Sequence, residues 1–176
     1  VGYAGGNVKN PTYQSVCSGI TNHTEVVLIN YDPKVISFDS LLKVFLENHD
    51  PTQGNRQGND VGSQYRSCIY VNNQEQYAAV MTSIESFQKS LNEAGFGKIT
   101  TEIKENVIFY YAEDYHQQYL ASLGSRQYCS ASPTKVKLGD FIGSNYKLKD
   151  YIWENFNWEV NKCVLRSDNN PIKVNN

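Results

Sequence analysis

Glu25-Val26-Val27-Leu28-Ile29-Asn30-Tyr31 is β-branched and apolar and stops at the turn pair Asp32-Pro33, a pattern that predicts a buried strand. Behind it, Ser37 is placed to cap a helix through Phe38-Asp39-Ser40-Leu41-Leu42-Lys43-Val44-Phe45-Leu46. Phe38, Leu41, Leu42 and Phe45 fall on one face of that helix, which is expected to pack on the sheet. The alternation then repeats. Tyr65-Arg66-Ser67-Cys68-Ile69-Tyr70-Val71 reads as a strand, and Tyr77, Val80, Ile84, Phe87 and Leu91 recur at helical spacing until Gly95. Ile99-Thr100-Thr101-Glu102-Ile103-Lys104 and Val107-Ile108-Phe109-Tyr110-Tyr111 read as further strands, and residues 112–120 as a short helix. This order predicts an α+β sandwich with its helices on one face of a sheet.

Between the first helix and the second strand, residues 49–62 are rich in Asp, Asn, Gln, Gly and Pro without an apolar period, so they form a long loop of the kind that often carries function. Beyond Pro133 the composition shifts to Lys, Asn and aromatic residues, including Trp153 and Trp158, and reaches the polar run Ser167-Asp168-Asn169-Asn170. Residues 1–133 are therefore expected to form one domain, and 134–176 a C-terminal extension whose role the sequence does not specify.

The chain has 176 residues, 40% of them hydrophobic, which suits one domain with a core. Its formal net charge is -2, from 16 basic and 18 acidic residues well mixed along the sequence, so neither nucleic acid nor a membrane surface is an expected partner. The N-terminus has neither the basic nor the apolar segment of a secretion signal, and a cytoplasmic location is expected. The single methionine is Met81, and the chain opens inside a glycine-rich motif, as expected of a processed or partial sequence.

Thirteen tyrosines stand beside glycine-rich loops and isolated acids. Phenols donate hydrogen bonds while uncharged, so a cluster of them suits a polar, neutral oxygen in an apolar pocket, although most tyrosines in a small α+β protein serve only as core or rim. The four cysteines, Cys17, Cys68, Cys129 and Cys163, are dispersed, which argues against a zinc knuckle or a disulfide framework. Cys129 falls in an aperiodic segment where another thiol can reach it, and Cys68 lies within an apolar strand as a small hydrophobe. Cys17 is intermediate. His23, His49 and His116 lack metal-ligand spacing, and no metal site is expected.

Val1-Gly2-Tyr3-Ala4-Gly5-Gly6, Asn10-Pro11-Thr12-Tyr13, Val16-Cys17-Ser18-Gly19 and His23-Thr24-Glu25-Val26 are followed in order by Glu47-Asn48-His49-Asp50-Pro51, Arg56-Gln57-Gly58-Asn59-Asp60, Gln64-Tyr65-Arg66-Ser67 and Tyr110-Tyr111-Ala112-Glu113-Asp114-Tyr115-His116-Gln117-Gln118-Tyr119. Together, in register from residue 1 to about 129, these motifs resemble the A-type peptide methionine sulfoxide reductases.

The resemblance implies a ferredoxin-like two-layer sandwich, helices packed on a mixed sheet, and thiol-dependent reduction of the S epimer of methionine sulfoxide, free or in proteins. It makes Glu25 the acid at the sulfoxide oxygen, Tyr13 and Tyr65 the phenols that hold that oxygen, and Asp60 the carboxylate that orders the site. Tyr119 and Tyr128 become rim residues that bind substrate, and Cys129 the recycling thiol whose disulfide thioredoxin or another thiol reduces. No bound cofactor is implied, and the protein is expected to act as a monomer on oxidised proteins and free methionine sulfoxide. The family's Gly-Cys-Phe-Trp-Gly motif, which carries the nucleophile after the first strand, has no counterpart here, so the first strand and helix are expected to be missing and the chain alone inactive. A nucleophile-free variant that binds oxidised methionine without reducing it is the alternative. Nothing in the resemblance places Cys17 in the pocket, and Cys163 is a second recycling thiol only by weak analogy.

Overall fold

A computed structural model describes residues 1–119 and 130–139. In chain order the elements are strand β1 (Gly2–Ala4), the short helix α1 (Tyr13–Cys17), β2 (Thr24–Val26) and helix α2 (Phe38–Glu47). A small hairpin of β3 (Arg56–Gln57) and β4 (Asp60–Val61) and a 3-10 turn (Ser63–Tyr65) lead to β5 (Cys68–Val71), then helix α3 (Gln74–Glu93), β6 (Glu102–Glu105), β7 (Phe109–Tyr111) and a second 3-10 turn (Asp114–His116). The architecture is α+β, as the alternation of patterns implied.

Both long helices start on side-chain caps. The Ser37 hydroxyl accepts from the Ser40 N–H at 3.1 Å, and the Asn73 amide oxygen from the Gln76 N–H at 2.8 Å, each satisfying a donor the first turn leaves free. Gly95, at φ +80°, closes α3 in the left-handed conformation that a Cβ disfavours. Leu42 and Val80 then meet Ile69 and Val71 of β5, while Leu46, Phe87 and Leu91 form an adjoining cluster between the helices. Each such side chain contributes roughly 1.5–3 kcal/mol by leaving water, so this layer is the main support of the described fold.

The strands form separate groups. β1 lies between β2 and β7, antiparallel to both, and β5 pairs in parallel with β6. The strand expected over 25–31 ends at Val26. Val27, Leu28 and Ile29 stand 68%, 47% and 53% exposed beside a groove between the two groups, because no described strand pairs with that edge. The strand expected from Ile99 begins only at Glu102, since Thr100 is held to the long loop by its N–H and hydroxyl, which donate to the Pro51 carbonyl at 2.8 and 3.0 Å. The short helix expected over 112–120 is reduced to the 3-10 turn. Gln117, at ψ 128°, leaves helical geometry there, and Gln118 follows in the left-handed region at φ +50°.

Glu102 ties the two strand groups together. Its carboxylate accepts from the Tyr70 hydroxyl at 2.6 Å and pairs with Arg66 and Lys104, each at 3.0 Å. Arg66 also donates to the Asn22 carbonyl at 3.2 Å, and Lys104 to that of Gly5 at 3.2 Å, so the cluster reaches from β5 and β6 to the backbone flanking β1 and β2. Burial alone would push the Glu102 pKa up, but the bonds from Tyr70, Lys104 and Arg66 outweigh it and hold the carboxyl below its ordinary range.

Residues 130–139 lie across this core. Leu138 is buried with Leu46, Phe87 and Leu91, and its N–H donates to the buried Glu47 carboxylate at 2.8 Å, which Lys137 also meets at 3.2 Å. Earlier in the segment, the Ser132 N–H donates to the Gln57 side-chain oxygen at 3.1 Å, and the Ser130 carbonyl sits against Gly58, where a Cβ would collide with it. Leu138→Ala is expected to lower stability by about 2–5 kcal/mol in denaturant unfolding, the range for emptying a packed leucine site. A loss below about 0.5 kcal/mol, the scale of a surface change, would mean that the segment does not dock this way.

Candidate active site

The groove between the strand groups has a volume of about 850 Å³, and one end of it gathers Tyr3, Tyr13, Glu25, Tyr65, His116 and Tyr119. Tyr3 and Glu25 are direct partners in the antiparallel register of β1 and β2, so their side chains leave the same face. Tyr13 is the first residue of α1. That helix is fixed at its start by a capping box: the Thr12 hydroxyl accepts from the Ser15 N–H at 3.3 Å, and the Ser15 hydroxyl accepts from the Thr12 N–H at 2.9 Å. Tyr65 arrives from the 3-10 turn that follows β4.

Electrostatics shift each of these groups toward its protonated form. Glu25 reaches solvent through the open groove, yet the protein packed around its inner side, and secondarily the charge of Asp60, raise its pKa above the ordinary carboxyl value. The Tyr13 hydroxyl interacts with the Cys17 thiol one turn along α1, which pushes the phenol up to about 12. Tyr65 is raised as well, by burial first and then by Glu25. The result is a carboxyl biased toward its neutral acid beside two phenols that stay O–H donors through physiological pH. Such a set can grip a polar acceptor oxygen and deliver a proton to it.

The structure thus brings Tyr13, Glu25 and Tyr65 together, with Asp60 close enough to act on Glu25 and Tyr65. Asp60 also accepts a hydrogen bond from the Ser130 hydroxyl, whose oxygen lies 3.1 Å from the Gln57 carbonyl. Tyr119 stands at the rim, 42% exposed. Tyr128, Cys129 and Cys163 lie outside the described residues. Cys68 is in β5, half-buried, its thiol pushed up to about 11 by burial, as suits an inert thiol. Among the described residues, no group of three His, Cys, Asp or Glu side chains could hold a metal, and no helix is long and apolar enough to cross a membrane.

Three participants were not legible in advance. Cys17 does not line the groove but interacts with Tyr13, because the two residues are four apart on a helix too short for its period to show in the sequence. His116 packs on the Tyr13 ring with centroids 4.6 Å apart, and its buried Nε2 finds no hydrogen-bond partner among the described residues. Glu113 accepts from the Tyr13 N–H at 2.8 Å and the Tyr3 hydroxyl at 2.7 Å, contacts across 100 and 110 residues that no local pattern could signal.

Comparison with known proteins supplies a family for this geometry. The family model described as peptide methionine sulfoxide reductase matches residues 1–149. Peptide methionine sulfoxide reductase MsrA of Rippkaea orientalis is 60% identical over 136 residues, covering 77% of this chain and 62% of that protein. The mitochondrial peptide methionine sulfoxide reductase of Bos taurus is also 60% identical over 136 residues, covering 77% and 58% respectively. The chain therefore spans about three fifths of the length of these curated relatives. Among solved structures, methionine sulfoxide reductase A of Corynebacterium diphtheriae superposes with a TM-score of 0.62 at 43% identity, covering 75% of this chain and 70% of that one.

The coupling of Glu25 to Asp60 can be read directly. Side-chain carbon NMR of Glu25 is expected to give a pKa above the ordinary glutamate range, moving down in Asp60→Asn as the repelling charge is removed. An unchanged titration would show that Asp60 does not act on Glu25.

Proposed function

The chain belongs to the A-type peptide methionine sulfoxide reductase family, and from that premise we propose that its groove binds oxidised methionine, with the sulfoxide oxygen held by Tyr13 and Tyr65 and protonated by Glu25. The observation that supports this most is the raised pKa of Glu25 on the face it shares with the phenols. Sulfoxide reduction needs a proton on oxygen while a thiolate attacks sulfur, and a carboxyl that stays protonated nearer neutral pH is suited to supply it.

In this reading a cysteine thiolate attacks the sulfoxide sulfur as Glu25 gives its proton to the oxygen. Oxygen passes to the cysteine as a sulfenic acid and methionine leaves, its sulfur reduced by two electrons and the cysteine oxidised by two. Cys129 then attacks the sulfenic sulfur, an S–S bond forms, the S–O bond breaks and water departs. Thioredoxin or another dithiol returns two electrons and two protons to the disulfide. Asp60 orders the site, and Tyr119 and Tyr128 contribute to substrate binding. The substrate is the S epimer, free or within oxidised proteins, and the enzyme works as a monomer in a reducing compartment such as the cytoplasm.

The nucleophile of this scheme belongs to the Gly-Cys-Phe-Trp-Gly motif, for which residues 1–176 offer no counterpart. Residues 1–133 supply the oxygen-holding side of the site, and the extension proposed over 134–176 starts with Val136 and Leu138 packed on the core. Val27, Leu28 and Ile29, exposed and lining the groove together with residues of β5, support a reading in which a further strand pairs there.

Dithiothreitol-driven reduction of the two epimers of a blocked methionine sulfoxide tests the proposal on residues 1–176 and on a protein in which the motif precedes them. The longer protein is expected to reduce the S epimer alone, and residues 1–176 neither. Glu25→Gln is expected to lower kcat/KM of the longer protein by roughly 10²–10⁴, the usual contribution of a general acid. Turnover by residues 1–176 would move the nucleophile onto one of their own cysteines, and binding without turnover by the longer protein would make this a recognition protein.

A further inference from the structure

We infer that Glu113 is a positioning residue for the oxygen-holding phenol, fixing Tyr13 by gripping its backbone N–H with one carboxylate oxygen and the Tyr3 hydroxyl with the other. The inference deepens the function proposed above and rests on Tyr13 holding the sulfoxide oxygen.

Helix α1 spans only Tyr13–Cys17. A helix this short has little cooperativity of its own, so its placement must come from outside. Its capping box satisfies the donors of Thr12 and Ser15, leaving the Tyr13 N–H for another acceptor. Glu113 Oε1 is that acceptor, at 2.8 Å. Oε2 takes the Tyr3 hydroxyl at 2.7 Å, and Tyr3, 2% exposed in the central strand β1, packs with Val16 on the inner side of the same helix. One carboxylate thus ties the start of α1 to the strand on whose neighbour Glu25 stands. The Tyr13 N–H also holds Glu113 below the ordinary carboxyl range, so it acts as an anion and as an acceptor toward both partners.

Glu113 does not reach the oxygen. Its effect passes through the lateral placement of the Tyr13 ring, which on its other side is set against His116 with ring centroids 4.6 Å apart. A displacement of the helix start moves the phenol relative to Glu25 and Tyr65, and misplacement on the ångström scale is enough to weaken a positioned contact.

The test is a double-mutant cycle in the longer protein carrying the upstream motif. Tyr13→Phe and Glu113→Ala are each expected to lower kcat/KM for the S epimer by roughly tenfold, and the double variant no more than Tyr13→Phe alone, because Glu113 has nothing left to position. Glu113→Gln, which keeps an oxygen for the Tyr13 N–H, is expected to recover most of the loss and stands in if the alanine variant does not fold. A merely structural role would lower activity equally with or without the Tyr13 hydroxyl, so multiplying losses of roughly a hundredfold would overturn the inference. Proton NMR gives a readout free of catalysis. The contact between the Tyr13 and His116 rings is expected to weaken in Glu113→Ala and persist in Glu113→Gln, and an unchanged contact in the alanine variant would also overturn it. If the unsubstituted longer protein reduces no sulfoxide, the proposed function fails and the NMR comparison still decides whether Glu113 places Tyr13.

Discussion

The pairing of β1 with β2 and β7 is the constraint on which the site depends. Tyr3 sits opposite Glu25 on one side and Tyr110 on the other, and this register decides that an acid and a buried phenol share a face. A shift of one residue would turn Glu25 away from the groove. The same strand anchors the Tyr3 hydroxyl that meets Glu113, so the register also sets where α1 and Tyr13 can lie. On the opposite wall, the Glu102 cluster joins β5 and β6 to the backbone around β1 and β2, which keeps the groove's sides in fixed relation.

The chemistry proposed for the site calls for O–H groups that donate while neutral. A carboxylate at the position of Glu25 would repel the negative end of a polar oxygen, whereas its acid form donates to it. Packing of protein around Glu25 favours the acid form, and the charge of Asp60 adds to it. The phenols need no such help, since their unperturbed pKa already exceeds physiological pH. Asp60 has a second task on the other side of the long loop, where it accepts the Ser130 hydroxyl and links the loop to the segment that runs on to Leu138.

Helices α2 and α3 were legible because each carries its own period and its own cap, Ser37 for one and Gly95 at the end of the other. The strand through Glu25 was legible in type and not in extent. Its β-branched residues fit a sheet, but a strand exists only where a neighbour completes its ladder, and Val27, Leu28 and Ile29 have none among the described residues. The 112–120 helix is interrupted locally, by non-helical backbone at Glu113 and Gln117 on either side of the 3-10 turn and by the left-handed Gln118. For the candidate site, Tyr13, Glu25 and Tyr65 were proposed from motifs in order along the chain, while the contacts of Glu113, His116 and Cys17 with Tyr13 emerged only in the folded chain.

The central claim is that the phenols of Tyr13 and Tyr65 and the carboxyl of Glu25 converge on one oxygen. It is tested most directly by titrating the protein that carries the upstream motif, its nucleophile replaced by serine, with the S epimer of a blocked methionine sulfoxide while following the ring carbons bearing the hydroxyls by NMR. Saturable shifts are expected at Tyr13 and Tyr65, weaker or absent with the R epimer, and none at the solvent-facing Tyr115, which is 60% exposed. Saturable binding that leaves Tyr13 and Tyr65 unmoved would contradict it.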